Sequence, residues 1–267
     1  MWQLMVVKKY FGLIWEVVKT NLMTAMEYRM SFILQVIGMM ANDLLMIVLW
    51  VIFFQRFGEI NGWTFQDTVM LWSITTVNFA IVMVMCRGVF ELAKTITRGD
   101  LDYYLSFPVD TLWYVAVSQM SVPAVGDLFF GIVLYLLYGD LSLSGIALYI
   151  FLCGVTAWIF FNFVVLTQSI AFFVGNFEEA AEQWYHSLLG FTLYPQSVFH
   201  GVLKMLMFTL VPAFFIATLP VDLINQFSWE KIFWLFGFGL ITFLIAVGLF
   251  RRGLKRYESG NLISFKM

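Results

Sequence analysis

Charge is scarce in this sequence. Only 12% of its 267 residues are Asp, Glu, Lys or Arg, about half the ~25% usual for a soluble domain. A water-soluble globule is excluded on that ground. Apolar residues at 61% point instead to an all-α polytopic membrane protein. Cysteine is nearly missing. Cys86 and Cys153 both fall in apolar segments and read as small core residues, not as a disulfide or metal pair. Histidine is as rare, and His186 and His200 read as structural or interfacial side chains. The chain has no Gly-x-x-x-x-Gly-Lys-Ser/Thr loop, no His-Glu-x-x-His and no Gly-x-Ser-x-Gly. Nucleotide binding of the P-loop kind is excluded, and catalysis by this chain, a metal site and a nucleic-acid partner are not expected. The start lacks the compact apolar core and small-residue cleavage site of a signal peptide, since Glu16 and Lys19 interrupt it.

What is present is a series of apolar runs long enough to cross a bilayer, each roughly 20 residues or more. Residues 31–55, 68–91, 112–138, 145–174 and 230–250 read as spanning helices. Residues 2–28 read as an amphipathic helix. Lys8, Lys9, Glu16, Lys19 and Glu27 gather on one side, opposite Leu4, Val7, Phe11, Ile14, Trp15, Val18 and Leu22. Such a helix suits the interface plane, although packing against the protein's own core gives the same pattern. Residues 183–224 are apolar but broken by Pro195, Pro212 and Pro220, three of five prolines. One further crossing at 182–200 followed by a hairpin at 201–224 fits this stretch, as do two crossings.

The positive-inside rule chooses between these readings. With the N-terminus in the cytoplasm, Lys8, Lys9, Lys19, Arg29, Arg87, Lys94 and Arg98 lie inside. An even number of crossings adds Arg251, Arg252, Lys255, Arg256 and Lys266, and leaves only Arg56, Lys204 and Lys231 outside. The expectation is therefore six crossings, both termini cytoplasmic, and a re-entrant hairpin on the outer side before the last helix. A single domain covers 1–267: an interfacial helix at 1–30, the transmembrane region at 31–250 and a cytoplasmic tail at 251–267.

Two polar features stand out. One is the charged island Lys94–Asp110, with Arg98, Asp100 and Asp102 at its centre. Flanked by apolar runs, it must lie in water at a membrane face, because unpaired charge and backbone are costly in hydrocarbon. The other is a sparse set of polar residues inside spans: Asn42, Asp43, Asn78, Asp127, Asn162 and Gln168. An intramembrane acid is a functional candidate by default; a buried hydrogen bond to a neighbouring helix is the rival reading. The acidic run Glu178-Glu179-Ala-Ala-Glu182 reads as a helix start.

Three stretches, in this order, resemble the permease subunits of ABC-2 type ATP-binding-cassette transporters, in the branch formerly described only as a domain of unknown function. They are Arg98-Gly-Asp-Leu-Asp-Tyr-Tyr-Leu-Ser-Phe-Pro108-Val-Asp; Tyr194-Pro195 with Val211-Pro212 and Leu219-Pro220; and Arg251-Arg-Gly-Leu-Lys-Arg-Tyr257-Glu-Ser259. The resemblance implies a six-helix permease in the cell membrane, working as a homo- or heterodimer with a separate cytoplasmic ATPase. ATP and Mg would sit on that partner, and no cofactor on this chain. It also implies that the island is the coupling helix. Gly99 would make its tight turn; Asp100 and Asp102 would cap it or pair with the ATPase beside Arg98; Leu101, Tyr104 and Leu105 would bury in the ATPase cleft; Pro108 would end it. The substrate path would run along the dimer seam between the first, second and fifth helices, with Asn42, Asp43 and Asn78 on it. The expected activity is ATP-driven export of an amphipathic, lipid-like or drug-like substrate. An ATP-independent channel or secondary carrier, or a membrane scaffold, is the alternative.

Overall fold

A computed structural model describes residues 2–175, 177–209 and 211–258, with side chains from residue 15 onward except 206–209. The expected stripes through Leu4, Val7, Lys8, Lys9, Phe11 and Ile14 lie outside the described side chains. Asn176 and the tail from Ser259 lie outside the described residues.

Among the described residues the chain is helical, with no β-strand. The elements are α1 (Trp2–Glu27), α2 (Arg29–Phe57), α3 (Phe65–Cys86), a 3₁₀ turn (Arg87–Glu91), α4 (Leu92–Thr97), α5 (Leu101–Leu105), α6 (Thr111–Val117) and α7 (Ala124–Tyr138). There follow α8 (Leu143–Ser169), α9 (Ala171–Val174), α10 (Glu178–Thr192), α11 (Gly201–Thr209), a π-helical turn (Phe214–Thr218), α12 (Leu219–Asn225) and α13 (Trp229–Leu254). Among the described residues, four stretches are long and apolar enough to cross a membrane: Arg29–Phe57, Phe65–Thr97, Leu143–Val174 and Trp229–Leu254. Shorter apolar helices cover Ala124–Tyr138 and Phe214–Asn225.

Local chemistry sets these boundaries. Thr64 and Asp67 form a reciprocal capping box at the start of α3, satisfying amides that a helix end leaves open. Asp110 accepts from the N–H groups of Leu112 and Trp113 and starts α6. Ser142 caps α8 through the amide of Gly145 at 3.0 Å.

Two expected spans need correction. The stretch 112–138 is not one helix. It breaks at 118–123, before Pro123, whose ring and missing N–H disrupt a continuing helix. The break is stabilised from outside, because Ser121 N–H donates to Met83 O at 3.0 Å. The helix expected over 182–200 is instead Glu178–Thr192. It starts on the acidic run and ends ahead of Pro195, which disfavours helical backbone in the residue before it.

α3 and α8 run through the middle of the bundle and are mostly buried, while α2 and α13 are mostly exposed flanks. Small residues allow close approach where the helices cross. A Cβ at Gly131 of α7 would strike Thr76 and Val77 of α3, and one at Gly126 would strike Val36 of α2. Ser73 uses that proximity to donate to Gly131 O at 2.7 Å and to meet the Tyr149 hydroxyl, also at 2.7 Å. Asn162 of α8 grips α13 through Gly239 O at 3.0 Å. The polar side chain that looked out of place in an apolar run is thus a helix clamp.

The ends of these helices gather into two groups. At one end are the island, the end of α8 and the end of α13: Arg251 lies 4.0 Å from Asp110, and the Phe172 ring packs on Tyr257. At the other end Asn61 donates to Ser197 O at 2.9 Å, Gln66 to Tyr138 O at 3.0 Å, and Asn225 to Asp67 at 2.6 Å. The segment between Ser197 and Asn225 therefore begins and finishes at the same end of the bundle. Between those points it reaches inward, where Asn78 of α3 donates to Ile216 O at 3.5 Å. α1 touches the bundle lightly, Asn21 donating to Val117 O at 3.2 Å, and leaves Trp15, Leu22 and Met23 exposed.

Candidate functional site

The island folds as a bent bracket rather than a loop. α4 runs into a turn at Gly99, whose φ of 79° is left-handed backbone that favours glycine. The single turn of α5 follows, and then a bend through Pro108 to α6. Gln168 of α8 accepts the Ala93 N–H at 2.9 Å, and Thr97 closes onto Ala93 O at 2.6 Å. Glu91 holds Lys94 at 3.2 Å and Arg87 at 3.6 Å. Tyr103, Tyr104, Phe107 and Tyr114 stack edge to face beneath the bend. The members of the bracket are thereby locked to helices on both sides.

The expected contact residues divide. Leu101 is 0% exposed and belongs to the chain's own core, and Tyr104 is half-buried with its hydroxyl on Ser118 at 3.3 Å. Entry of either side chain into a partner's cleft does not fit that packing; both anchor the bracket. Arg98, Asp100 and Leu105 are exposed, and so is Tyr103 at 60%, which sequence reasoning passed over. Asp100 makes no capping hydrogen bond to α5. Asp102 lies instead beside the Tyr257 phenol. Burial, with Asp102 and Asp100 close by, pushes that phenol up to about 12. The Tyr257 ring itself packs edge to face on Phe172.

The second site lies deep between helices. A cavity of about 270 Å³ is lined by Asn42 and Asp43 of α2, Trp72, Thr75 and Thr76 of α3, Asp127 of α7, and Leu189, Leu193 and Tyr194 at the end of α10. Asp43 is 5% exposed and Asp127 2%. Both carboxyls line the cavity, and Asp43 Oδ2 and Asp127 Oδ2 are buried without a hydrogen-bond partner. Asp43 stands near the middle of α2, ~20 Å from either end at 1.5 Å per residue. Asn42 and Asp43 thus lie together on a cavity walled by α2, α3, α7 and the end of α10. Asn78 does not join them; it is spent on Ile216. The pairing of Asp127 with Asp43 had no signal in the sequence beyond the presence of two acids inside apolar runs.

Among the described residues no cluster of His, Cys, Asp or Glu could hold a metal ion. Residues 37–260 match the model of a family described as ABC-2 family transporter protein. No curated protein and no solved structure matches the chain. The match spans most of the sequence, on a helical bundle that exposes apolar flanks, and the chain belongs to the ABC-2 family of transporter proteins.

Proposed function

We propose that this chain is the transmembrane permease subunit of an ATP-driven exporter, moved by a separate ATPase subunit through residues 94–110. The observation that carries the reading is the gathering of the bracket and the end of α13 at one end of the bundle. Arg87, Lys94, Arg98, Arg251, Arg252, Lys255 and Arg256 all belong to that end, and positive charge favours the cytoplasmic face. The crossings are α2, α3, α6 with α7, α8, α10 and α13. That makes six, with both termini in the cytoplasm of a cell whose plasma membrane holds the protein.

The segment 197–225 is a re-entrant hairpin on the outer side, since both its ends meet the outer ends of other helices. α1 lies along the inner leaflet with Trp15, Leu22 and Met23 in lipid. The thinly covered flank of α2 faces a second permease subunit, identical or different, and the Asp43 cavity opens towards that seam through exposed Asn42. ATP binding by the partner ATPase pulls on Arg98, Asp100, Tyr103 and Leu105. Leu101, Gln168 and the aromatic stack pass the motion to α3, α8 and α6.

Purification of the native complex tests this. An ATPase subunit with a P-loop should co-purify, and the double change Asp100→Ala, Leu105→Ala should remove it without lowering the melting temperature of the permease. Undiminished ATPase recovery and transport with that variant would remove the bracket from the mechanism.

A further inference from the structure

The first half of α13 and the π-helical turn border an open groove of about 690 Å³. Its floor is Phe215 of the turn and Phe238 of α13, whose rings stack in parallel with centroids 3.9 Å apart. Its walls are Phe233 and Trp234, 74% and 65% exposed. Gly237 and Ile241 continue the same side of α13, since residues three and four apart share a helix face. Gly237 leaves the room. A Cβ there would have nothing within 4 Å, whereas one at Gly239, turned towards α8, would strike Trp158 at 2.8 Å. Glycine inside a helix costs roughly 0.5–1 kcal/mol against alanine, and at Gly237 no close helix crossing requires it.

Length and polarity name the occupant. From Trp229 to Ile241 the helix rises about 18 Å at 1.5 Å per residue. That is close to one leaflet of a hydrocarbon core ~30 Å thick. The lining is apolar along this length, and Glu230 places a charge at the mouth. Phe227 and Trp229 meet edge to face at 5.2 Å at the same end. Trp rings settle at headgroup level, and their faces attract ammonium groups. Lys231, the neighbouring base, stands by the Asp222 carboxylate. The mouth therefore offers an acid and aromatic rings. It repels an anionic headgroup and attracts one that ends in an amine.

We infer that the groove holds one resident phospholipid with an amine-bearing, zwitterionic headgroup. One acyl chain lies along Phe233, Gly237 and Ile241, and the ammonium group sits against Glu230 and Trp229. Phe215 belongs to the segment 197–225, so the acyl chain rests on that segment as well as on α13 and braces the two together. The lipid is part of the fold and is not cargo. This inference needs α13 to span the membrane and does not depend on coupling to an ATPase.

The test uses the full chain reconstituted in vesicles of equal parts phosphatidylethanolamine, phosphatidylcholine and phosphatidylglycerol. It is then extracted in mild detergent and weighed by native mass spectrometry. One lipid per chain should be retained, from either of the two amine classes; the mass says which. Gly237→Leu places a side chain in the open groove and should lower the retained fraction about tenfold. Gly248→Leu, on the same helix but outside the groove, also has nothing within 4 Å of its Cβ and should leave retention unchanged. Glu230→Gln should keep the lipid but shift the choice towards phosphatidylglycerol. If Gly237→Leu does not fold, Trp234→Ala decides, because it removes an exposed wall and should also lower retention. Equal retention by the unaltered chain and the folded groove variants overturns the inference, as does a preference for phosphatidylglycerol in the unaltered chain. A dimer that Gly237→Leu dissociates would overturn it too, by showing that a second copy of the chain covers the groove.

Discussion

Gln168 Oε1 accepts the backbone N–H of Ala93 at 2.9 Å, with both residues buried. The contact joins the end of α8 to the first turn of α4, where helical amides have no partner of their own. It is the point at which the bracket is attached to the centre of the bundle.

Replacing Gln168 by Leu strands that amide in a buried site. The expected loss is about 1–3 kcal/mol, read as a lower melting temperature in detergent. Gln168→Glu keeps an acceptor oxygen and should fall between the two. Equal melting of all three proteins would show that the amide finds another partner.

The crossing of α3 and α7 depends on the missing side chain at Gly131. A Cβ there meets Thr76, Val77 and the Ser73 carbonyl, which cannot all retreat. Gly131→Val should cost about 1–3 kcal/mol through overpacking. Gly154, on the next long helix, has nothing within 4 Å of a Cβ, so Gly154→Ala should be neutral. Thermal unfolding of the pair checks the contrast.

Much of this architecture was legible in the sequence for simple reasons. The long helices at 29–57, 143–169 and 229–254 are uninterrupted apolar runs, and the capped start at Asp110 is an Asp ahead of an apolar segment. Gly99 announced its turn because only glycine sits comfortably at that backbone angle. What escaped were features decided by partners distant in sequence. The break at 118–123 depends on Met83, and the inward burial of Leu101 depends on the surrounding bundle. The meeting of Asp43 with Asp127 requires α2 and α7 to pack at Gly126. Hydropathy marks a residue as polar in an apolar run; it does not say which other residue it faces.

Acid should loosen the connection between α7 and α8. Asp140 accepts from Ser142 N–H at 2.9 Å and from its hydroxyl at 2.6 Å, and these bonds hold its carboxyl below the usual carboxylate range. A lowered folded value means the contribution is present above the unfolded value near 3.8 and is lost as pH falls below it. Asp140→Asn should therefore narrow the gap in melting temperature between neutral and acidic buffer. An identical pH profile for the two proteins would assign the acid sensitivity elsewhere.

The sidedness of the bundle gives the sharpest discrimination. Tyr103 in the bracket and Glu59 beyond α2 are both exposed, at opposite ends of the bundle. The native Cys153 is buried and Cys86 half-buried, so single cysteines introduced at these positions report above a low background. In intact cells a membrane-impermeant maleimide should label Glu59→Cys and spare Tyr103→Cys. In inside-out vesicles the order should reverse. The chain crosses the membrane once between the two positions, through α3, so labelling of both from one side would remove that crossing. Bracket labelling from outside would place residues 94–110 beyond reach of any cytoplasmic ATPase, whereas labelling only from inside puts the bracket, Arg251 and Tyr257 on the face where such a subunit docks.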